Sequence, residues 1–470
     1  AQEISEHFSF VTPNHQFMPA FKSGYWDGRI RLFNAGKQFL YCGLRKEFEH
    51  FCKIRNHKPK FEVTDSLLKE EEVASFIASL PLSASGKTIK SKAYQTTAVI
   101  HAMTHEKAIL LSPTASGKSL MAYQICRAFQ KFFPKDKCLV IVPNLGLINQ
   151  LQGDFSDYAS TDKWDAEKET HSIFSGQEKE SDKPVHLSTW QSIYNQPKPF
   201  FYKYKMVIVD EAHGCTADSL KRILENAINC SFRIGMTGTV QDAKCHKLML
   251  EGLLGPVCEV TTTKKLMESK DVASLDITCL LLKYDNELCK YMRKCSYQQE
   301  IDFVIGHEKR NNFIISLVEK VSGNTLLLYQ YVDKHGKVLY NALRKKHPTR
   351  PVFFVCGEVG GDERTDIREL VETHTNAIIV ASYATFSTGM SIKNLHNIVF
   401  SSPYKSKIRL LQSIGRGLRI SNTKSKVDIF DIADDFSVGE HKNYGLKHLT
   451  ERMKIYVRQQ FPYKLVKIPF

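Results

Sequence analysis

Residues 107–120 read KAILLSPTASGKSL, and the reading of this stretch decides the fold. Ala108–Leu111 is a short apolar run of the kind that fills a buried parallel strand. Thr114-Ala115-Ser116-Gly117-Lys118-Ser119 breaks the run with small residues, and Leu120 to Phe133 has helical periodicity. A strand, a small-residue loop ending in Gly-Lys-Ser, and a helix make a phosphate-binding loop. Backbone N–H groups of such a loop and the helix N-terminus point at anionic phosphates. Lys118 adds a point charge near the β- and γ-phosphates, and the Ser119 hydroxyl is placed to ligate Mg²⁺. ATP and Mg²⁺ are the expected cofactors. Ser112 stands where the strict pattern has glycine. The bland alternative is a Ser/Gly turn with a surface lysine, so the flanking sequence has to decide.

Met206–Val209 is a further apolar run, and it ends in Asp210-Glu211-Ala212-His213, 92 residues beyond Lys118. A strand-end acid can hold Mg²⁺, and the next acid can take a proton from the water that attacks the γ-phosphate. Asp210 and Glu211 are expected in those two roles. Phe232–Met236 runs into Thr237-Gly238-Thr239, which with His213 suits a relay between the nucleotide and a partner site, or a simple turn. Leu139–Val142 ends in Pro143-Asn144 ahead of a helix carrying Leu147 and Gln150, and His186–Thr189 is another strand with hydroxyls at its tip. Ligands of open parallel sheets bind at carboxyl ends of strands, so these tips either hold a nucleic-acid backbone or cap helices. Upstream, Tyr94-Gln95 precedes a helix leading to the phosphate loop, and a glutamine amide can pair with adenine N6 and N7.

A second α/β unit follows from about residues 262–276. Thr325–Gln330, Val352–Cys356, Ala377–Ala381 and Asn397–Phe400 read as strands; His335–Lys346, Asp362–Thr373 and Leu411–Leu418 read as helices. Arg416 and Arg419, three apart on the last helix, are expected to share a face and to act as arginine fingers, or to be an exposed basic face. The tail 446–470 reads as a basic amphipathic helix packed on this unit.

At the other end, Asp27-Gly28 lies between an aromatic stretch (Phe21, Tyr25, Trp26) and Arg29-Ile30-Arg31-Leu32-Phe33, a hairpin signal. Ile30 and Leu32 would face a core, leaving Arg29 and Arg31 outside to grip nucleic acid or to protect an edge strand. Residues 43–54 read as a short basic helix, 67–80 as another helix, and 83–91 as a linker. The net charge of +15 favours polyanionic partners, nucleic acid above all. The apolar runs are too short to span a bilayer, and no charged-then-apolar signal opens the chain. The 12 cysteines form no C-x-x-C pair, so a reducing cytoplasm is the expected compartment.

In order and spacing these segments resemble the motor of superfamily 2 helicases over residues 88–440. Tyr94-Gln95 resembles the adenine-reading element, Thr114–Ser119 motif I, and Pro143-Asn144-x-x-Leu147-x-x-Gln150 motif Ia. Thr189 lies where a backbone-contacting motif belongs. Asp210–His213 matches motif II in its DEAH form, Thr237–Thr239 motif III and Gln330–His335 motif IV. Ser382–Ser391 resembles motif V, and Gln412–Arg419 fits the Q-x-x-G-R-x-x-R form of motif VI. Gly389 and Gln412 are thereby implied at the nucleotide, and Pro143, Asn144, Gln150, Thr189 and Tyr331 at nucleic acid. Asn144 replaces the usual Thr, Lys92 the usual Arg, and Ser391 a frequent acid.

Gly24–Leu32, with Ser382–Tyr383, Phe386–Gly389 and Ser391–His396, further resembles the UvsW-type recombination helicases of T-even phages. The resemblance implies an α/β chain of two tandem RecA-like parallel-sheet domains behind a small α+β module for double-stranded nucleic acid. The expected boundaries are 1–82, 88–265 and 276–470, with the chain starting inside the first module. It also implies an ATP-dependent helicase that remodels branched DNA: R-loops, D-loops, Holliday junctions and stalled forks. RNA:DNA hybrids and phage recombination proteins are the further partners implied. An RNA helicase, the motor of a larger restriction or remodelling complex, and a non-moving ATP-switched clamp are the alternatives.

Overall fold

The computed structural model describes residues 1–12, 15–62, 66–174, 176–216, 218–239, 244–357, 361–388, 392–402, 406–420 and 424–470. They divide into two compact units, one of Ala1–Pro113 with Gly117–Thr261 and the other of Thr262–Phe470 with Thr114–Ser116.

The first unit is built on strands β1 (Lys107–Leu111), β2 (Lys137–Val142), β3 (Thr170–Ile173), β4 (Val185–Thr189), β5 (Tyr204–Asp210), β6 (Phe232–Thr237) and β7 (Val257–Glu259). All pair in parallel, in the order β7-β1-β6-β5-β2-β4-β3. Alternate residues feed two cores. Ala108, Leu110, Val140 and Ile208 join one cluster; Ile109, Leu139, Val207 and Val209 join the other. That two-sided burial is why these strands read as continuous apolar runs. Helices α1 (Ala93–His105), α2 (Lys118–Phe132) and α3 (Leu145–Tyr158) contribute to the first cluster.

The second cluster takes in Phe8, Leu32, Phe33, Leu44 and Phe51 from the N-terminal residues. Gly43 shows how close that docking is: a Cβ there would lie 1.9 Å from the Glu251 carbonyl oxygen. Ile30 and Leu32 turn inward as expected. The expected Asp-Gly hairpin does not form. Pro19–Lys22 is a helical turn with proline at its start, and Arg29–Arg31 pairs antiparallel with Ser9–Val11 instead. The expected linker is also structured: Ser83–Ala84 and Lys87–Thr88 form a hairpin, and Ser83 is fully buried.

The second unit has strands β8 (Ser274–Lys283), β9 (Thr325–Tyr329), β10 (Val352–Val355), β11 (Ile378–Ser382), β12 (Asn397–Phe400), β13 (Lys426–Asp435) and β14 (Tyr463–Pro469). They too are parallel, ordered β10-β11-β9-β12-β13-β8-β14. The tail is helix followed by strand. Helix α5 (Tyr444–Arg458) packs as expected, its buried Arg452 clamping Asp431 of β13 at 2.7 and 2.9 Å. Residues 463–469 then form the edge strand β14.

Candidate active site

The phosphate loop follows β1 at the carboxyl edge of the first sheet. Ala115 (φ +68°) and Gly117 (φ +81°) are left-handed, and Gly117 caps the N-terminus of α2. A chain turned this way directs successive backbone N–H groups into one concavity. Lys118 Nζ lies 3.4 and 3.5 Å from the carbonyl oxygens of Ser112 and Pro113. Lys118, Ser119, Asp210, Gln150 and Asp154 line a cavity of about 60 Å³ floored by Val140, Ile208 and Met236.

Asp210 ends β5, whose neighbours β2 and β6 fix its height. Its Oδ1 is buried without a hydrogen-bond partner. Burial, reinforced by the charge of Glu211 and opposed by Lys118, pushes its carboxyl up to about 6. A buried, orphaned carboxylate oxygen beside a serine hydroxyl and a lysine is the donor set a hard divalent cation with a nucleotide would satisfy. Asp210 and Ser119 therefore fit Mg²⁺. Glu211 adopts φ +49°, a left-handed conformation rare outside glycine. Its Oε2 stands 3.3 Å from His213 Nδ1, which lies 3.2 Å from Thr237 Oγ1. Thr237 Oγ1 in turn donates to the Thr239 carbonyl at 2.9 Å, with Gly238 between. Glu211, His213, Thr237 and Thr239 thus form a continuous chain of contacts.

Gln95 is buried, and its Oε1 accepts from Lys92 N at 2.9 Å, closing a capping box on α1. A Cβ on Gly117 would meet Gln95 Nε2 at 2.3 Å, so this amide stands against the phosphate loop, with Tyr94 half-buried beside it. Asn144 caps α3, accepting from Leu147 N at 3.1 Å; Pro143 accepts from Gln191. Thr189 is 6% exposed with its hydroxyl 2.9 Å from Ser192 Oγ, so it is not a displayed tip. Gln150, expected among the nucleic-acid contacts, is exposed at the rim of the nucleotide cavity. Arg31 forks onto Asp27, pulling that carboxyl down to about 2, and Arg29 donates to Ser9 Oγ at 3.0 Å. Both arginines lie on an exposed strand, Arg31 paired in charge with Asp27 and Arg29 bonded to a neutral hydroxyl.

In the second unit Gln412 and Arg416 lie on α4 (Lys407–Gly417). The expected shared helical face of Arg416 and Arg419 is not formed, because the helix stops at Gly417. Two glycines weaken its last turn, and Lys424 Nζ takes the Gly417 carbonyl at 2.6 Å. Gly389 and Ser391 lie outside the described residues. Tyr331 precedes a π-turn, Val332–Gly336, closed by Gly336 N to Tyr331 O at 2.9 Å. Sequence reading missed two residues at the first site, Asp154 in the cavity wall and Tyr158, whose hydroxyl is 2.8 Å from Ser119 Oγ. Only the period of α3, which puts 147, 150, 151, 154 and 158 on one stripe, could have found them.

A phosphate loop and a strand-end Asp-Glu pair on one parallel sheet, with a second parallel sheet in tandem, define a tandem RecA-like ATPase, the class to which superfamily 2 helicases belong. Residues 87–242 match the family model described as type III restriction enzyme, res subunit, and residues 1–62 that described as DNA helicase UvsW, N-terminal. The chain is 32% identical over 98% of its length, and 94% of the relative's, to the ATP-dependent DNA helicase uvsW of Enterobacteria phage T4. The crystal structure of T4 UvsW matches all of this chain and 95% of that one at 30% identity and a TM-score of 0.52. The DNA 3'-5' translocase XPB2 of Sulfurisphaera tokodaii is 23% identical over 88% of this chain and 93% of its own. The chain belongs to the UvsW family of DNA helicases.

Proposed function

We propose that the chain converts Mg²⁺-dependent ATP hydrolysis into the remodelling of branched DNA: unwinding R-loops and D-loops, moving Holliday junctions and regressing forks. The observation that carries the chemistry is the single small cavity wall shared by Lys118, Ser119 and Asp210, with Glu211 next in the chain. Lys118 and the loop 114–119 bind the β- and γ-phosphates, and Tyr94 and Gln95 take the adenine. Ser119 and Asp210 hold Mg²⁺, which neutralises charge on the phosphates. Glu211 orients and deprotonates water; His213 and Thr237–Thr239 report phosphate loss to the strand tips. Arg416 and Arg419 serve as arginine fingers, and Gly389 and Gln412 bind nucleotide. Asn144 and Tyr331 hold the DNA backbone, and Arg29 and Arg31 its duplex part. The DNA substrate rests on the near full-length match to a phage DNA helicase, and RNA:DNA hybrids and phage recombination proteins are proposed as further partners on the same resemblance. The first 82 residues act as the duplex-binding module, 88–265 and 276–470 as the two halves of the motor.

The test is the steady-state ATPase rate with equimolar single-stranded DNA, single-stranded RNA, plain duplex and a four-way junction, Lys118→Ala serving as blank. DNA stimulates most, with the junction well served. Stimulation by RNA alone makes the chain an RNA helicase; full activity in Lys118→Ala removes the site assignment.

A further inference from the structure

We infer that Tyr158 is a positioning residue for the cation: its phenolic oxygen holds the Ser119 hydroxyl so that the serine lone pair faces the cavity shared with Asp210. The inference rests on the ATP·Mg²⁺ reading of that cavity.

The contact is 2.8 Å between two hydroxyls, and either can donate. A cation at Ser119 Oγ fixes the direction. The cation draws electron density from the oxygen, making it a poorer acceptor and its O–H a better donor, so Ser119 donates its proton and Tyr158 accepts. A metal-bound hydroxyl is a stronger donor than a free one, so the acceptor strengthens the ligand in return. Ser119 and Tyr158 are 39 residues apart, and the fold spends several contacts on holding the tyrosine still. Its ring packs on Tyr123, one turn below Ser119 on α2, at 5.7 Å between centroids. The end of α3 is pinned from outside by the hairpin 83–88. Ser85 N donates to both carboxylate oxygens of Asp157 at 2.8 and 2.9 Å, and Ser83 Oγ meets Ser160 Oγ at 2.6 Å. A hydroxyl on so restrained a backbone selects one rotamer of its partner. The stretch that sequence reading takes for a linker thus acts, through Tyr158, on a ligand of the nucleotide site.

Tyr158→Phe keeps the ring and removes only the oxygen. Binding of a fluorescent ADP to the full chain is measured in EDTA and across a titration of free Mg²⁺, with the melting midpoint in EDTA as the folding control. The variant binds nucleotide like the wild type in EDTA, yet needs about tenfold more Mg²⁺ for the same tightening. In a Ser119→Ala background the substitution adds nothing. Equal weakening with and without Mg²⁺ makes Tyr158 a packing residue and overturns the inference. So does an unchanged or lowered Mg²⁺ requirement, the latter meaning that the tyrosine holds Ser119 away from the cation. If Mg²⁺ has no effect on the wild type, the reading beneath falls, and the inference with it.

Discussion

Glu211 is held at φ +49° in the turn that follows the strand Tyr204–Asp210. Left-handed backbone in a non-glycine residue stores about 1–3 kcal/mol, and such residues gather where chemistry needs them. Its charge also raises the Asp210 carboxyl. Both costs fall in Glu211→Asn, because asparagine tolerates this conformation better and carries no charge. The variant is expected to unfold at higher denaturant, with stability raised by about 1 kcal/mol, while ATP hydrolysis falls at least a hundredfold. Unchanged stability would remove the strain argument; unchanged hydrolysis would remove Glu211 as the base. Lys118, Asp210 and Glu211 were legible because each follows an apolar strand that fixes where it emerges. Asp154 and Tyr158 were not: the period of α3 puts them on one stripe, but what that stripe faces is set by the sheet order.

At the scale of elements the same contrast holds. Buried parallel strands announce themselves as apolar runs; β13 does not, because Asp428, Asp431, Asp434 and Asp435 interrupt it. The partners that make its buried acids tolerable come from elsewhere, Arg452 for Asp431 and Arg310 for Asp434 at 2.8 Å. Strand β14 reads as basic tail because lysines at 464 and 467 guard a sheet edge. The π-turn before residue 337 has no sequence signal beyond Gly336, where a Cβ would meet the Tyr329 ring at 2.5 Å. Gly336→Ala therefore lowers stability by about 1–3 kcal/mol, read from denaturant unfolding. His335 in that turn is fully buried between Asn311 Oδ1 (3.2 Å) and Ser402 Oγ (3.0 Å), and burial pulls its pKa down to about 3. Between about pH 6.5 and 3 the unfolded chain binds a proton there and the folded one does not, so stability falls as pH falls. The slope from this one group is about 1.4 kcal/mol per pH unit, and His335→Gln should flatten the profile by that amount. An unaltered acid profile in the variant would mean that the ring is protonated in the fold.

For the molecule as a whole, two features of charge matter. Asp431 and Arg452 form a buried pair with Tyr456 donating to the same carboxylate at 2.8 Å. Asp431→Ala leaves that guanidinium uncompensated and costs about 3–5 kcal/mol, visible as a lower denaturation midpoint. The net charge of +15 makes nucleic-acid binding fall steeply with salt, and a flat salt dependence would exclude phosphate contacts as its main source. Among the described residues no helix is long and apolar enough to cross a membrane. The central claim is that hydrolysis at the first unit's cavity moves DNA. It is tested most directly by following branch migration of a fluorescently labelled four-way DNA junction with wild type and Glu211→Gln at saturating ATP·Mg²⁺. The account predicts that only the wild type moves the junction, while both bind it and bind nucleotide. Equal migration by the two proteins, or none by a wild type that hydrolyses ATP on the junction, would contradict it.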